Sequence, residues 1–258
     1  MNLILMMLLD YMNNPHISIV DYTIAKYIVH HYTLIFDISI NELADLLEVS
    51  ISQISRFVRH IGFSSFQEFK EATRYHGENQ RHSMIQKGKK LDMDIYQKYI
   101  QEETQYFFTY FDKSSLNNLV KDFHKFDKIA LFGILNSGNA ARELQYNLAF
   151  SGQLCISITE FQAQLSFIKN ADSQTLIVIY SLSGEYVLDN DYSRYYHTIQ
   201  TLKSSQSKIY VITNQLKVKS LSYIDDIIYL PVKYHLYQYT LQYFNDCLLL
   251  EYQKSIVS

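Results

Sequence analysis

Five short apolar runs in the second half of this 258-residue chain restrict its fold more than any other feature. Amphipathic segments of helical length separate most of these runs. Strands that alternate with helices pair in parallel and form a sheet that helices cover on both faces. The pattern therefore predicts an α/β domain with a three-layer α/β/α architecture and a five-stranded parallel sheet. The predicted strands are residues 129–132, 154–158, 175–180, 209–213 and 227–230.

The first 75 residues or so have the apolar spacing of helices, and they predict an all-α N-terminal domain. Residues 76–92 are polar and contain two glycines, as is typical of a linker. A chain of this length is comfortable for two domains. We therefore predict a helical domain over residues 1–76, a linker over 77–92 and the α/β domain over 93–258.

Two consecutive short helices in the N-terminal half have matching apolar stripes. Ser39 and Glu42 form the sequence pattern of a capping box, Ser50 is placed to cap the next helix, and Gly62 follows that helix as a C-terminal stop. Two such helices joined by a tight turn, which we place at Val49, make a helix-turn-helix motif. The apolar stripes are Ile40, Leu43, Ala44 and Leu47 in the first helix, and Ile54, Phe57, Val58 and Ile61 in the second.

The second helix of such a motif is the one that reads DNA in the major groove. Arginine can bond guanine or phosphate, glutamine can bond adenine, and serine can donate to phosphate oxygens. Gln53 could instead complete a capping box with Ser50, and the whole face could be an ordinary surface or a protein-interaction module. The candidate DNA-binding residues are Ser50, Ser52, Gln53, Ser55, Arg56, Arg59 and His60.

The charge distribution supports a local nucleic-acid footprint despite a net charge of −3. Residues 1–50 carry one Lys or Arg and six acidic residues, whereas residues 51–90 carry eight basic and three acidic residues. A basic block inside an acidic protein is typical of a surface that binds an anionic partner. For residues 81–90, a solvated charged linker is the better interpretation.

The remaining features exclude several classes of protein. Cys155 and Cys247 lie far apart and outside any metal-ligand or redox pattern, so we predict neither a metal nor a cofactor. The apolar start of the chain lacks a basic region and a cleavage site, and it ends at Asp10. No apolar segment reaches the ~20 residues that a membrane helix needs. We therefore expect a cytoplasmic protein that does not bind a membrane.

Residues 39–70 resemble the N-terminal domain of RpiR/MurR-type transcriptional regulators. The family pattern includes the Ser-Ile-x-Glu-Leu-Ala start, a Val-Ser pair before the second helix, and Arg-Phe followed later by Gly-Phe. This chain matches it at Ser39–Ala44 except at x, at Val49–Ser50, at Arg56–Phe57 and at Gly62–Phe63. Ser52 and Gln53 stand where the family usually has Ala-Thr, and Arg59 and His60 replace a common lysine pair. These departures fall on the outward face, where they bear on the operator that is read.

The same resemblance implies a C-terminal SIS (sugar isomerase) domain that binds a phosphosugar effector. Two segments that follow predicted strands resemble the family's phosphate-binding loops, residues 133–138 and residues 181–186. Glycines and hydroxyls before a helix N-terminus suit an anion. Leu135 replaces an expected glycine and Tyr186 an expected threonine, so the pocket could be degenerate and serve only dimerisation, and the serines could merely cap a helix. The candidate ligand-binding residues are Asn136, Ser137, Ser181, Ser183 and Gly184.

An isomerase with an accessory helical domain is the alternative from another class of protein. It would need a general base, and Glu143, Glu160, Glu185 and His235 are candidates by residue type alone. Because the family's regulators use this domain to sense a ligand, the resemblance implies no catalytic residue. The expected partners are a double-stranded DNA operator, a phosphosugar effector and further copies of the chain in a homodimer or homotetramer.

Overall fold

The computed structural model describes residues 3–73 and 92–257. The chain divides into two compact units, residues 1–79 and residues 80–258. The predicted linker lies outside the described residues except for Asp92, whose carboxylate accepts a hydrogen bond from the Ile95 N–H at 2.8 Å and caps the first helix of the second unit.

The first unit is helical throughout its described residues. Its helices are α1 (Leu3–Met12), α2 (Ile19–His30), α3 (Ile40–Leu47), α4 (Ile51–His60) and α5 (Phe66–Thr73), with a 3₁₀ turn at Tyr32–Leu34. One apolar cluster joins all five helices, and Ile24, Leu43, Ile54, Phe57 and Phe69 lie at its fully buried centre.

The ends of α3 and α4 follow the capping chemistry that the sequence predicts. The Ser39 Oγ accepts from the Glu42 N–H at 3.1 Å, and Glu42 Oε2 accepts from the Ser39 N–H at 2.7 Å. Ser50 and Gln53 form the same reciprocal pair on α4. Gly62 follows α4 with a φ of +100°. Val49, where the turn is predicted, lies between the two helices, and the left-handed residue of this turn is Glu48, with a φ of 53°.

The second unit alternates strands and helices as predicted. Its strands are β1 (Lys128–Gly133), β2 (Thr175–Tyr180), β3 (Lys208–Thr213) and β4 (Asp226–Tyr229). Its helices are α6 (Met93–Tyr110), α7 (Leu116–Lys125), α8 (Asn136–Phe150), α9 (Phe161–Asn170), α10 (Asp191–Tyr195), α11 (Thr198–Ser204) and α12 (Tyr237–Val257).

The four strands form one parallel sheet in the order β1-β2-β3-β4. Alternate side chains of each strand point to opposite faces. One face, which includes Leu131 and Val178, packs in a single core with residues of α6, α7, α8 and α12. On the other face, the ring of Phe132 meets Phe167 of α9 at 5.4 Å. Both faces are covered, which explains why β2 is buried at every position.

The predicted fifth strand over residues 154–158 is wrong. Only Ile156 pairs with β1, through one N–H to the Ile129 carbonyl at 2.7 Å and one carbonyl to the Leu131 N–H at 2.8 Å. Glutamine side chains bind the neighbouring carbonyls, because Gln145 donates to Cys155 at 2.8 Å and Gln164 donates to Ile158 at 2.6 Å. The Ile158 carbonyl, the next one that would face β1, is thus taken by Gln164, and the segment has a single bridge at the edge of the sheet.

Candidate functional site

The outward face of α4 is polar because its opposite side is buried in the helical core. Ile54, Phe57 and Val58 have no exposed surface. Helical periodicity then turns the remaining positions toward the solvent. Among the predicted DNA-binding residues, Ser50, Ser52, Arg56, Arg59 and His60 are exposed, and Gln53 and Ser55 are half-buried.

Three of these side chains form a small hydrogen-bonded group at the start of α4. The Ser50 Oγ lies 2.8 Å from the Ser52 Oγ and donates to Gln53 Oε1 at 2.9 Å. The same oxygen of Gln53 accepts from the Ser50 N–H at 2.8 Å. The capping interpretation of Gln53 is therefore correct, and its side-chain oxygen already has two donors.

The two arginines lie one turn apart on the exposed face. The Arg59 Nε donates to the Ser55 carbonyl at 3.1 Å, which holds its guanidinium along the helix. Arg56 is exposed. Its positive charge lowers the pKa of the Tyr11 hydroxyl, although burial and Asp21 raise that pKa by more. Together the two side chains place two permanent positive charges on this surface.

His60 differs from the other residues of this face because it contacts the interior of the unit. Its Nδ1 lies 3.1 Å from Asp21 Oδ2 of α2 and 3.1 Å from the Tyr11 hydroxyl of α1. The Asp21 side chain is only 4% exposed, whereas that of His60 is 45% exposed.

The predicted phosphate-binding loops leave the same edge of the sheet. Gly133 at the end of β1 is the register partner of Tyr180 at the end of β2. Because neighbouring parallel strands end at a common carboxyl edge, the predicted segments 133–138 and 181–186 begin side by side there. The structure thus gathers the predicted ligand-binding residues at one edge of the sheet.

Close backbone packing shapes the first of these loops. A Cβ on Gly133 would lie 2.7 Å from the Ser137 carbonyl carbon, and one on Gly138 would lie 2.9 Å from the Gly133 oxygen. Leu135 has a φ of 56° and a ψ of −127°, a conformation that costs a non-glycine residue about 1–3 kcal/mol. Asn136 is exposed and Ser137 is half-buried, and both lie in the first turn of α8.

The second loop is held by turns and not by a helix. The Ser181 Oγ accepts from the Tyr186 N–H at 3.1 Å, and the Gly184 N–H donates to the Ser181 carbonyl at 2.9 Å. Gly184 has a φ of +77°. Helix α10 begins only at Asp191, so the expected helix directly after this loop is absent there and the serines do not cap one. Ser183 is half-buried, and its Oγ accepts a long hydrogen bond from the Glu185 N–H at 3.5 Å.

Tyr186, which stands where the family usually has threonine, turns into the protein. Its side chain is buried, and its hydroxyl donates to Gln164 Oε1 at 3.0 Å. Burial raises the pKa of this hydroxyl far above its usual range, so it stays a donor. The Nε2 of Gln164 donates to the Gly133 carbonyl at 2.9 Å. The pair therefore links the loop after β2 to the end of β1.

Residues after β3 and β4 also reach this edge, although the sequence analysis did not single them out. The Asn214 N–H donates to the Leu182 carbonyl at 3.1 Å, and Gln215 lies 3.2 Å from where a Cβ on Gly184 would be. Lys233, in the loop after β4, pairs with Glu102 of α6 at 2.7 Å. The signal that could have found them is their position, since each follows a predicted strand of the same sheet.

The four candidate bases have structural contacts. Glu143 accepts from Asn245 Nδ2 at 2.7 Å, and the Asn245 Oδ1 in turn accepts from the Tyr180 hydroxyl at 3.0 Å. Glu160 caps α9 through two backbone N–H groups. The His235 Nδ1 lies 3.1 Å from the Tyr237 hydroxyl, and the Glu185 backbone carbonyl accepts from Asn190 Nδ2 at 2.8 Å.

Residues 6–76 match the helix-turn-helix domain of the rpiR family. The first unit is an RpiR-family helix-turn-helix domain. The match spans α3, α4 and the turn between them, and it begins within α1, so the first two helices belong to the same domain as the helix with the cationic face.

Similarity to known proteins extends beyond the RpiR-family domain. An uncharacterised HTH-type transcriptional regulator of Providencia stuartii, from the aarA 3′ region, is 22% identical over 168 residues, which are 62% of this chain. The matched region spans 59% of that regulator's own length.

Solved structures share the fold of the chain. The NanR protein of Vibrio vulnificus, solved as a complex with ManNAc-6P, matches with a TM-score of 0.52 and 17% identity, over 96% of this chain and 92% of NanR. A protein of Bacteroides fragilis, described as a phosphosugar isomerase involved in capsule formation, matches with a TM-score of 0.51 and 15% identity, over 64% of this chain and 91% of that one. At these identities the similarity shows the fold.

None of the helices within residues 3–73 and 92–257 combines the length and the apolar character that crossing a bilayer requires.

Proposed function

We propose that the protein is a transcriptional regulator that binds a double-stranded DNA operator through the outward face of α4. The observation that carries this proposal is the second helix of an RpiR-family domain with two exposed arginines one turn apart and an apolar side that is fully buried. Such a helix can enter the major groove without disturbing the core. The relative from Providencia stuartii is likewise named an HTH-type transcriptional regulator.

The contacts within α4 suggest a division of roles on this face. Bidentate pairing with adenine would use the Gln53 oxygen, which already accepts from Ser50. Gln53 and the serines are therefore better suited to phosphate contacts, which position the helix. Arg56 and Arg59 have donors in the geometry that guanine or phosphate requires.

Replacing Arg56 or Arg59 by alanine should weaken operator binding without unfolding the protein. A direct base contact is worth about 1–3 kcal/mol, which corresponds to roughly 5- to 150-fold in affinity. Losing a phosphate contact should instead lower the slope of log affinity against log salt concentration by about one. Fluorescence anisotropy with a 30-base-pair duplex, selected by the protein from a random library and titrated at several salt concentrations, measures both quantities.

Lys26→Ala is the matched control, because Lys26 is an exposed cation of α2 outside the face of α4. It removes the same charge and should leave the affinity within about twofold, since surface charges far from the contact are largely screened. Affinity that is unchanged in both arginine variants would mean that α4 does not face the DNA.

We further propose that the carboxyl edge of the sheet binds a phosphorylated sugar as an effector. Backbone N–H groups at the start of α8 favour an anion, and Asn136, Ser137 and Ser183 offer donors beside them. Ser181 has a supporting role, because its hydroxyl already holds the Tyr186 N–H. NanR, which shares the fold, was solved with ManNAc-6P.

These contacts favour a sensor over an isomerase. A general base has to be within reach of the substrate proton, whereas Glu143 is engaged by amides of α8 and α12 and Glu160 by the start of α9. A symmetric dimer would present two copies of α4 to half-sites of the operator. Such a regulator would be located in the cytoplasm, the compartment that holds the DNA.

A second candidate is a regulator whose sheet edge no longer binds a ligand and serves only dimerisation. The buried Tyr186–Gln164 contact favours it, because these side chains join the two loops where the family usually has a threonine. The leucine at position 135 favours it as well, since a side chain stands in the loop where a glycine is expected.

Thermal unfolding with phosphosugars separates the two candidates. A ligand at 100 times its Kd stabilises the folded state by about 2.7 kcal/mol, so ManNAc-6P or another member of a panel of phosphorylated sugars should raise the Tm. Unphosphorylated ManNAc and inorganic phosphate are the ligand controls. No shift with any phosphosugar would favour the second candidate.

Ser183→Ala is the sharpest variant for this test, because within residues 3–73 and 92–257 its hydroxyl has a single long hydrogen bond, from the Glu185 N–H. The variant should keep the ligand-free Tm and lose most of the ligand-induced shift. Ser204→Ala, which removes an exposed hydroxyl of α11, should keep the shift.

A further inference from the structure

The end of the proposed recognition helix is attached to α1 and α2 by a cluster of three polar side chains, which we call the anchor. It consists of Tyr11, Asp21 and His60. The Tyr11 hydroxyl donates to Asp21 Oδ2 at 2.7 Å, and His60 Nδ1 lies 3.1 Å from the same oxygen. The anchor therefore links the last residue of α4 to two helices that lie far from it in sequence.

Protons in the anchor are assigned by the chemistry of the groups. A tyrosine hydroxyl has one proton, and a carboxylate can only accept. Because the Tyr11 hydroxyl donates its one hydrogen bond to Asp21, the His60 Nδ1 has to be protonated to bond the same oxygen. Burial and the hydrogen bond to Asp21 raise the pKa of Tyr11 to about 12, so the hydroxyl remains a donor throughout the physiological range.

Asp21 is costly to bury and therefore points to a role beyond ordinary packing. The residue is 3% exposed, and within the described residues its Oδ1 has no hydrogen-bond partner. Burying a carboxylate with incomplete partners costs free energy, and such a cost is consistent with a role in fixing the geometry of the groups that it contacts. The group that it fixes is His60, next to the exposed Arg59 and one turn from Arg56.

We propose that His60 is a positioning residue that, through Asp21 and Tyr11, sets how α4 presents Arg56 and Arg59 to DNA. This inference rests on the DNA binding proposed above, and it reassigns His60 from a residue that reads DNA to one that holds the reading helix. Binding sites lose affinity when side chains depart by a fraction of an ångström from productive geometry. Helix α1, through Tyr11, is then part of the binding geometry.

Asp21→Asn gives the decisive measurement, because charge and position predict opposite signs. Removing a negative charge near α4 would by electrostatics alone tighten binding to a polyanion. If Asp21 acts by position, the variant should weaken binding by about fivefold, because a neutral amide oxygen accepts from Tyr11 and His60 more weakly than a carboxylate does. The readout is the affinity for the duplex selected by the wild type, measured at a temperature at which far-UV circular dichroism shows every variant to be folded.

A double-mutant cycle then tests whether His60 and Asp21 act as one unit. His60→Ala should weaken binding by a similar factor, and the Asp21→Asn, His60→Ala double variant should be no weaker than the weaker single variant. The slope of log affinity against log salt concentration should stay at the wild-type value in these variants. Replacing an arginine that contacts phosphate should instead lower that slope by about one. His60→Gln, which keeps a donor and an acceptor, should restore most of the affinity.

Tyr11→Phe keeps the test falsifiable if Asp21→Asn does not fold, because it removes one hydrogen bond without changing a charge. It should weaken binding in wild-type His60 and have no further effect in His60→Ala. Equal or tighter binding by Asp21→Asn, additive effects of the paired variants, or a lower salt dependence in His60→Ala would each overturn the anchor. If the wild type selects no duplex at all, the proposed DNA binding itself has failed, which is a separate outcome.

Discussion

At the scale of single residues, two glycines allow β1 to run directly into α8. Gly133 lies beneath the Ser137 backbone, and Gly138 faces the Gly133 carbonyl, so that neither position has room for a methyl group. This crowding keeps the start of α8 close to the end of the strand. The proposed phosphosugar site depends on that approach, because backbone N–H groups can reach an anion only where no side chain intervenes.

Gly133→Ala should therefore lower the free energy of unfolding by about 3 kcal/mol, the upper end of the range for overpacking, since the atoms that a Cβ would meet are backbone. Urea unfolding measures it. Gly152→Ala is the control, because a Cβ there meets nothing within 4 Å and the cost is limited to a left-handed φ of +80°, about 1 kcal/mol. Equal losses in both variants would show that backbone crowding does not govern the loop.

At the scale of elements, side-chain hydrogen bonds mark where pairing ends and where helices begin. The segment around Ile156 has the composition of a strand, yet Gln145 and Gln164 take carbonyls on either side of its single bridge. In the first unit the same kind of contact is local, and Ser39 and Ser50 begin their helices through residues three positions away. Local contacts can be read from the sequence, whereas the glutamine contacts depend on the packing of α8 and α9.

At the scale of the whole molecule, the two proposed sites should be coupled through one equilibrium. A phosphosugar that changes operator affinity by some factor must have its own affinity changed by the same factor when operator is bound, commonly about 5- to 150-fold. Anisotropy with the selected duplex at saturating phosphosugar gives one factor, and calorimetry of the phosphosugar at saturating duplex gives the other. Unequal factors, or a factor of one, would contradict a sensor that regulates DNA binding.

Much of this protein follows from the sequence alone because helix caps and apolar periodicity act over a few residues. The spacing around Ser39, Ser50 and Gly62 predicts the helix-turn-helix, and four of the five apolar runs are strands of the parallel sheet. The arginines of α4 are exposed as helical periodicity requires. In the second unit, the strand ends alone place residues 134–137 and 181–184 at one edge.

Only the tertiary structure decided which side chains meet across the fold. His60 has the position of a DNA-reading residue by spacing, yet it contacts Asp21, 39 residues away. Tyr186 lies where a hydroxyl for a ligand is expected, yet it bonds Gln164 of α9. Such contacts depend on how helices and strands pack, and burial then determines which polar groups must find partners within the protein.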